Sequence, residues 1–172
     1  MEDLISEYRD YELAQIENDP LYPLFVQDCK TYAPIIEQNK DKNFVQRIIE
    51  PDKWPYYTFP EDEREQYGSD WGSHLMSYAS DNEGLQVFPQ LVYDEKGKNL
   101  KLLGKKDWKE AYDYAKKTGE YITVPDKDTA EHFGSYGYKS LMGDEKTAFP
   151  MWKYGYENSL KKTSKETKKK KK

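Results

Sequence analysis

The run His74-Leu75-Met76-Ser77-Tyr78-Ala79, the polar break Asp81-Asn82-Glu83-Gly84 and the run Leu85-Gln86-Val87-Phe88-Pro89-Gln90-Leu91-Val92-Tyr93 decide the fold. His74, Met76 and Tyr78 alternate with Leu75, Ser77 and Ala79, the period of a strand, and a turn ending in glycine before a second apolar run predicts a hairpin. Pro89 has no N–H to give to a ladder, so the strand over residues 85–93 is expected at a sheet edge or with a bulge. Asp94-Glu95-Lys96-Gly97 is a second turn and Leu100 to Leu103 a third strand, which completes an antiparallel meander. Trp108, Ala111, Tyr112 and Ala115 then fall at i, i+3, i+4 and i+7, one helical face, with Lys105, Lys106, Lys109 and Lys116 directed outward. Gly119 stands where a helix end takes a positive φ. Glu120 to Val124 is a fourth strand closed by Pro125, and Asp126 or Asp128 caps a second helix with Ala130 and Phe133 inward. Gly134, Gly137 and Gly143 weaken the end of that helix. The order β-β-β-α-β-α over residues 74–142 predicts an α+β fold around a small antiparallel sheet.

Working outward, residues 3–18 place Leu4, Tyr8, Tyr11 and Ile16 near one helical face, and Asn18-Asp19-Pro20 stops that helix. Leu24, Phe25, Val26, Cys29 and Tyr32 follow Pro23 and predict a short helix ending before Pro34. Between Ile48 and Ser73, Pro51, Pro55, Pro60 and the run Glu61-Asp62-Glu63 predict an irregular arm whose Trp54, Tyr56, Tyr57 and Phe59 lie against the body or a partner. The organisation is therefore an N-terminal helical segment over 1–42, the module with its long aromatic loop over 43–143, an aromatic extension over 144–160 and a basic tail over 161–172. That tail has no apolar residue after Leu160 to offset the entropy of ordering it, and is expected to be disordered.

The 172 residues suit one compact domain with appendages, and 36% hydrophobic against 34% charged residues is a thin supply for a core. Sixteen tyrosines compensate, since each ring buries a large area and keeps a polar tip, so wholesale disorder is not expected. The net charge of −5 conceals a division: the tail holds eight lysines and one glutamate, +7, which leaves −12 on residues 1–160. No apolar run is long enough to span a bilayer, and Met1-Glu2-Asp3 is acidic where a secretory signal is basic, so the expectation is a soluble protein without that signal. Cys29 is the single cysteine, which excludes an intrachain disulfide and suits a reducing compartment.

A set of short runs resembles a small module of tailed-bacteriophage proteins: Asn43-Phe44-Val45-Gln46-Arg47-Ile48, Gly72-Ser73-His74-Leu75-Met76, Val87-Phe88-Pro89-Gln90-Leu91, and Glu110-Ala111-Tyr112-Asp113-Tyr114-Ala115 through Lys117-Thr118-Gly119-Glu120-Tyr121-Ile122. Ala130-Glu131-His132-Phe133 with Gly137-Tyr138-Lys139 resembles its closing helix and tyrosine-lysine end. The likeness spans about residues 43–143 and leaves the N-terminal helix and the tail outside. It implies a component of virions or of their DNA-ejection machinery, located in the particle and in the host cytoplasm during assembly, with no catalytic residues to carry over.

No residue constellation dictates a reaction, and no cofactor is expected. His74 and His132 lack metal-ligand spacing; His74 is expected to be a packing residue and His132 exposed or capping. Ser135 lacks the nucleophile-elbow spacing, Cys29 reads as an inert buried thiol, and Glu61, Asp62, Glu63 and Glu65 read as a solvated acidic face. The rings are more informative. Trp54, Tyr56, Tyr57, Trp71, Trp152, Tyr154 and Tyr156 flank the module and suit contacts with other virion proteins, against the alternative that they enlarge a thin core. Lys161, Lys162, Lys165, Lys168, Lys169, Lys170, Lys171 and Lys172 suit non-specific contact with DNA or an acidic surface. The expectation is a non-enzymatic virion protein; a cell-wall hydrolase or its accessory, and a regulatory binding protein absent from particles, are the rivals.

Overall fold

A computed structural model describes residues 11–50, 53–67, 70–94, 99–135 and 145–169. Leu4 and Tyr8, most of the turn after Asp94, Gly137, Tyr138, Lys139, Gly143 and Lys170 to Lys172 lie outside them. The fold is α+β with small antiparallel sheets. The chain divides into two compact units, Met1–Gln38 with Ser135–Lys172, and Asn39–Gly134.

The second unit holds residues 43–134 of the module expected over 43–143, and Ser135 onward falls in the first unit. Strands β3 (Met76–Asp81) and β4 (Gly84–Pro89) form the expected hairpin, Met76 opposite Pro89 and Asp81 opposite Gly84. Strand β7 (Ile122–Val124) adds on the other side of β4, so the sheet order is β3-β4-β7 and β4 is central. Pro89 is therefore at the end of the central strand and not on an edge. The predicted strand over 85–93 breaks at Gln90, and β5 (Leu91–Tyr93) pairs instead with β6 (Leu100–Leu102), which divides the expected meander between two sheets. The backbone bridges the break at Gln90, which donates to the Leu75 carbonyl at 2.7 Å and accepts from Leu103 N–H at 2.8 Å.

Helix α5 (Lys109–Thr118) lays Ala111 and Ala115 on Phe88, Val92 and Leu103, a core edged by Tyr112, Tyr114 and Tyr121. It ends at Gly119 with φ 78°, as the sequence requires. Trp108, expected inward, is exposed at the helix start with its ring against Tyr112. Lys116, expected to face outward, is held by Asp81 and Glu83 of the hairpin. Asp126 caps α6 (Lys127–Ser135), accepting from the Thr129 N–H and hydroxyl, each at 2.8 Å. Residues 43–49, which periodicity alone left unassigned, form α3 (Asn43–Ile49).

The arm after Ile48 is more regular than expected. Tyr57–Thr58 (β1) pairs with Trp71–Gly72 (β2), and Glu61–Tyr67 is a helix, α4. Pro60 and three carboxylates in the first turn, read as breakers, are favourable at a helix start, where N–H groups are unpaired and the dipole is positive.

In the first unit, residues 11–17 are helical (α1) and α2 (Tyr22–Gln38) runs through Pro34 without stopping. The stop predicted before Pro34 is thus corrected: one lost hydrogen bond is tolerated in a helix held by packing. Helix α7 (Glu145–Lys169) supplies the other side of the core, where Phe25 meets Ala148, Phe149 and Trp152. Its backbone stays helical well into the basic segment expected to lack structure. Lysine is a good helix former, and a helix nucleated upstream extends at the cost of one residue at a time.

Candidate interaction surface

The rings singled out from the sequence separate into two classes. Trp152 is fully buried: its ring stacks on Tyr156 at 5.1 Å, and its Nε1 donates to Asp28 Oδ2 at 2.8 Å. Burial pushes the Asp28 carboxyl up, opposed by that indole N–H. For Trp152 the core alternative holds, and as a contact residue it is corrected; Tyr156, half-buried beside it, belongs to the same cluster. Trp54 lies half-buried against Tyr93, 5.1 Å between centroids, and Tyr57 packs edge-on against the buried Phe59.

Tyr56, Trp71 and Tyr154 remain outside, at 52%, 57% and 72% exposure. The ribbon register explains the first two. Tyr57 opposes Gly72, and Phe59 shares their face, so that side turns inward, and Phe59 lies close enough to Gly72 that a Cβ there would touch its ring at 3.2 Å. Thr58 opposes Trp71, and Tyr56, two residues before Thr58, meets Trp71 diagonally, with centroids 4.7 Å apart. On α7, Met151 and Tyr154 stand a helical turn apart on the exposed side, with Leu160 further along. Lys161 is exposed, and Lys162, Lys165, Lys168 and Lys169 continue the helix.

The acidic run is not uniformly solvated. Glu61, Asp62 and Glu65 are exposed, but Glu63 is buried and paired with Lys105, whose ammonium that carboxylate holds above its usual range. Burial also overturns the expectation for His132, which is 5% exposed. His74 is the packing residue expected: its Nε2 lies 2.6 Å from the Phe44 carbonyl, which can only accept, so Nε2 carries the proton and Nδ1 accepts from the Ser73 hydroxyl at 2.8 Å. Cys29 is half-buried at the edge of the first unit's core.

A cavity of about 200 Å³ lies in the second unit among Asn43, Arg47, Tyr93, Tyr114 and Glu120. Its polar groups hold the fold. Buried Arg47 donates to the Ser73 and Leu91 carbonyls at 2.5 and 2.9 Å, Glu120 accepts from the Asn43 and Phe44 N–H groups at the start of α3, and the Tyr93 hydroxyl donates to the Pro55 carbonyl at 3.0 Å. Sequence reasoning missed Arg47 because a charged residue on a short helix carries no signal of burial. A second polar cluster joins hairpin to helix: Lys116 donates to Glu83 and lies 3.1 Å from Asp81, which also accepts from the Tyr112 hydroxyl at 2.5 Å. These bonds raise the lysine well above its usual range and lower both carboxylates, the signature of a structural clamp.

Among the described residues no three His, Cys, Asp or Glu side chains are grouped to hold a metal, and no helix is long and apolar enough to cross a membrane. No family model matches the sequence, and neither a curated protein nor a solved structure matches it.

Proposed function

We propose that the chain is a non-enzymatic component of a tailed-phage particle that binds neighbouring virion proteins through its outward rings and touches DNA or an acidic neighbour through its lysines. The observation that carries the binding role is the position of Tyr56, Trp71 and Tyr154, large rings left in solvent by a chain short of core material that buries Trp152 completely. Rings of this kind supply much of the binding energy at protein interfaces. The likeness of residues 43–143 to a phage module supports the particle setting. The C-terminal lysines carry the positive charge of an otherwise acidic chain: contact with a polyanion stays with them, is independent of sequence and weakens steeply with salt.

Mass spectrometry of purified particles tests the setting, with the chain expected at a fixed stoichiometry; its absence from particles would favour the regulatory rival. Truncation after Leu160 tests the lysines. Nucleic-acid retention at low salt should disappear while far-UV circular dichroism keeps its sheet and core-helix signal, and retention that survives truncation removes the tail from the mechanism.

A further inference from the structure

The outer face of the β1–β2 ribbon joins two observations. Tyr56 and Trp71 lie diagonally across it with their rings inclined at 56°, each more than half exposed. The sequence around them is acidic: exposed Asp70 adjoins Trp71 and its carbonyl accepts from Phe59 N–H at 3.0 Å, and between the two strands of the ribbon Glu61, Asp62 and Glu65 are exposed on α4. Arg64 lies 3.6 Å from Asp70 and is the exposed cation of that helix. A ring face carries negative potential, and carboxylates around it add to the attraction for an alkylammonium group. An anionic partner is repelled by the exposed carboxylates Glu61, Asp62 and Glu65, and an uncharged one makes no use of them.

A ligand of that chemistry is written into the same chain. Lys161, Lys162, Lys165 and Lys168 to Lys172, less Glu166, give the terminal segment +7 against −12 on the remainder. We infer that the Tyr56–Trp71 face receives the lysine-rich C-terminal segment of a second copy of this chain, ammonium groups over the rings and beside the carboxylates. Donor and acceptor are different surfaces, so the contact is heterologous: each pair of copies leaves one ring face and one tail still to be joined, and assembly continues to a ring or an open row. The inference rests on the reading of the lysine segment as a ligand for acidic surfaces, and names one such surface.

Sedimentation velocity decides it, with four samples: the full chain, the chain truncated after Leu160, the Tyr56→Ala/Trp71→Ala double variant, and the last two mixed. The full chain should self-associate with rising concentration at low ionic strength and return to monomer in about 0.5 M salt, where charges are screened within a few ångströms. Each altered chain alone should stay monomeric. Their mixture should form a one-to-one complex and stop there, because one copy supplies only rings and the other only lysines. Trp71→Phe, which keeps a ring in place, should weaken self-association about tenfold without abolishing it. A full chain monomeric at every concentration, association that survives either change, or a mixture that forms no complex overturns the inference. Should the truncated chain lose nucleic-acid retention while the full chain never self-associates, the proposed function stands and this inference alone fails.

Discussion

Among the described residues, His132 carries a clear acid sensitivity. Burial pushes its imidazole down to about 4 from 6.5. Between those values the unfolded chain binds a proton that the folded chain excludes, so stability falls as pH drops through the window. The loss reaches about 3 kcal/mol near pH 4 and is absent above about pH 7. Urea unfolding at several pH values measures it, and His132→Gln should flatten the slope between pH 6.5 and 4; a slope unchanged by the substitution would assign it to other groups. The sequence placed this residue at the surface because Ala130 and Phe133 define the apolar side of α6. Thr129, Ala130, His132 and Phe133 are all buried, so the helix is covered over a wider arc than its own spacing shows.

At the scale of elements, α7 places opposite kinds of aromatic residue two positions apart. Trp152→Ala removes the centre of the first unit's core and leaves Asp28 without its indole partner, at a cost of about 3–5 kcal/mol. Tyr154→Ala touches an exposed ring and should change stability by less than about 0.5 kcal/mol. Denaturation of the two variants side by side checks the assignment, and comparable losses would contradict it. Gly119 gives a purer backbone effect: with φ 78° and nothing within 4 Å of an added Cβ, Gly119→Ala should cost about 1 kcal/mol through strain alone. A neutral result in the same assay would mean the C-cap relaxes.

Element existence in the module was legible in the sequence because each signal was local: period two over His74 to Ala79, which the structure shows as the strand Met76–Asp81, the i, i+3, i+4, i+7 spacing before Gly119, and the cap at Asp126. What depended on the rest of the molecule was not. Pro34 reads as a stop but is outweighed by packing, the acidic run after Pro60 reads as a break but suits a helix start, and Gln90 divides an apparently continuous strand between two sheets. The aromatic candidates were legible as a group only. Sequence marks Trp71 and Trp152 alike, and strand register or helix face separates the exposed ring from the core ring.

For the whole molecule, the scarcity of aliphatic residues and the abundance of tyrosine and tryptophan explain both the ring-built core of the first unit and the cost of leaving further rings in water. The role proposed for the exposed rings is to hold neighbouring proteins in the particle. Hydroxyl-radical footprinting of the chain alone and within purified particles tests it most directly. In the isolated chain Tyr56, Trp71 and Tyr154 should oxidise fast and Trp152 slowly. Within particles those three should become protected at least several-fold while Trp152 is unchanged. Equal oxidation of the three rings in both settings would contradict the claim.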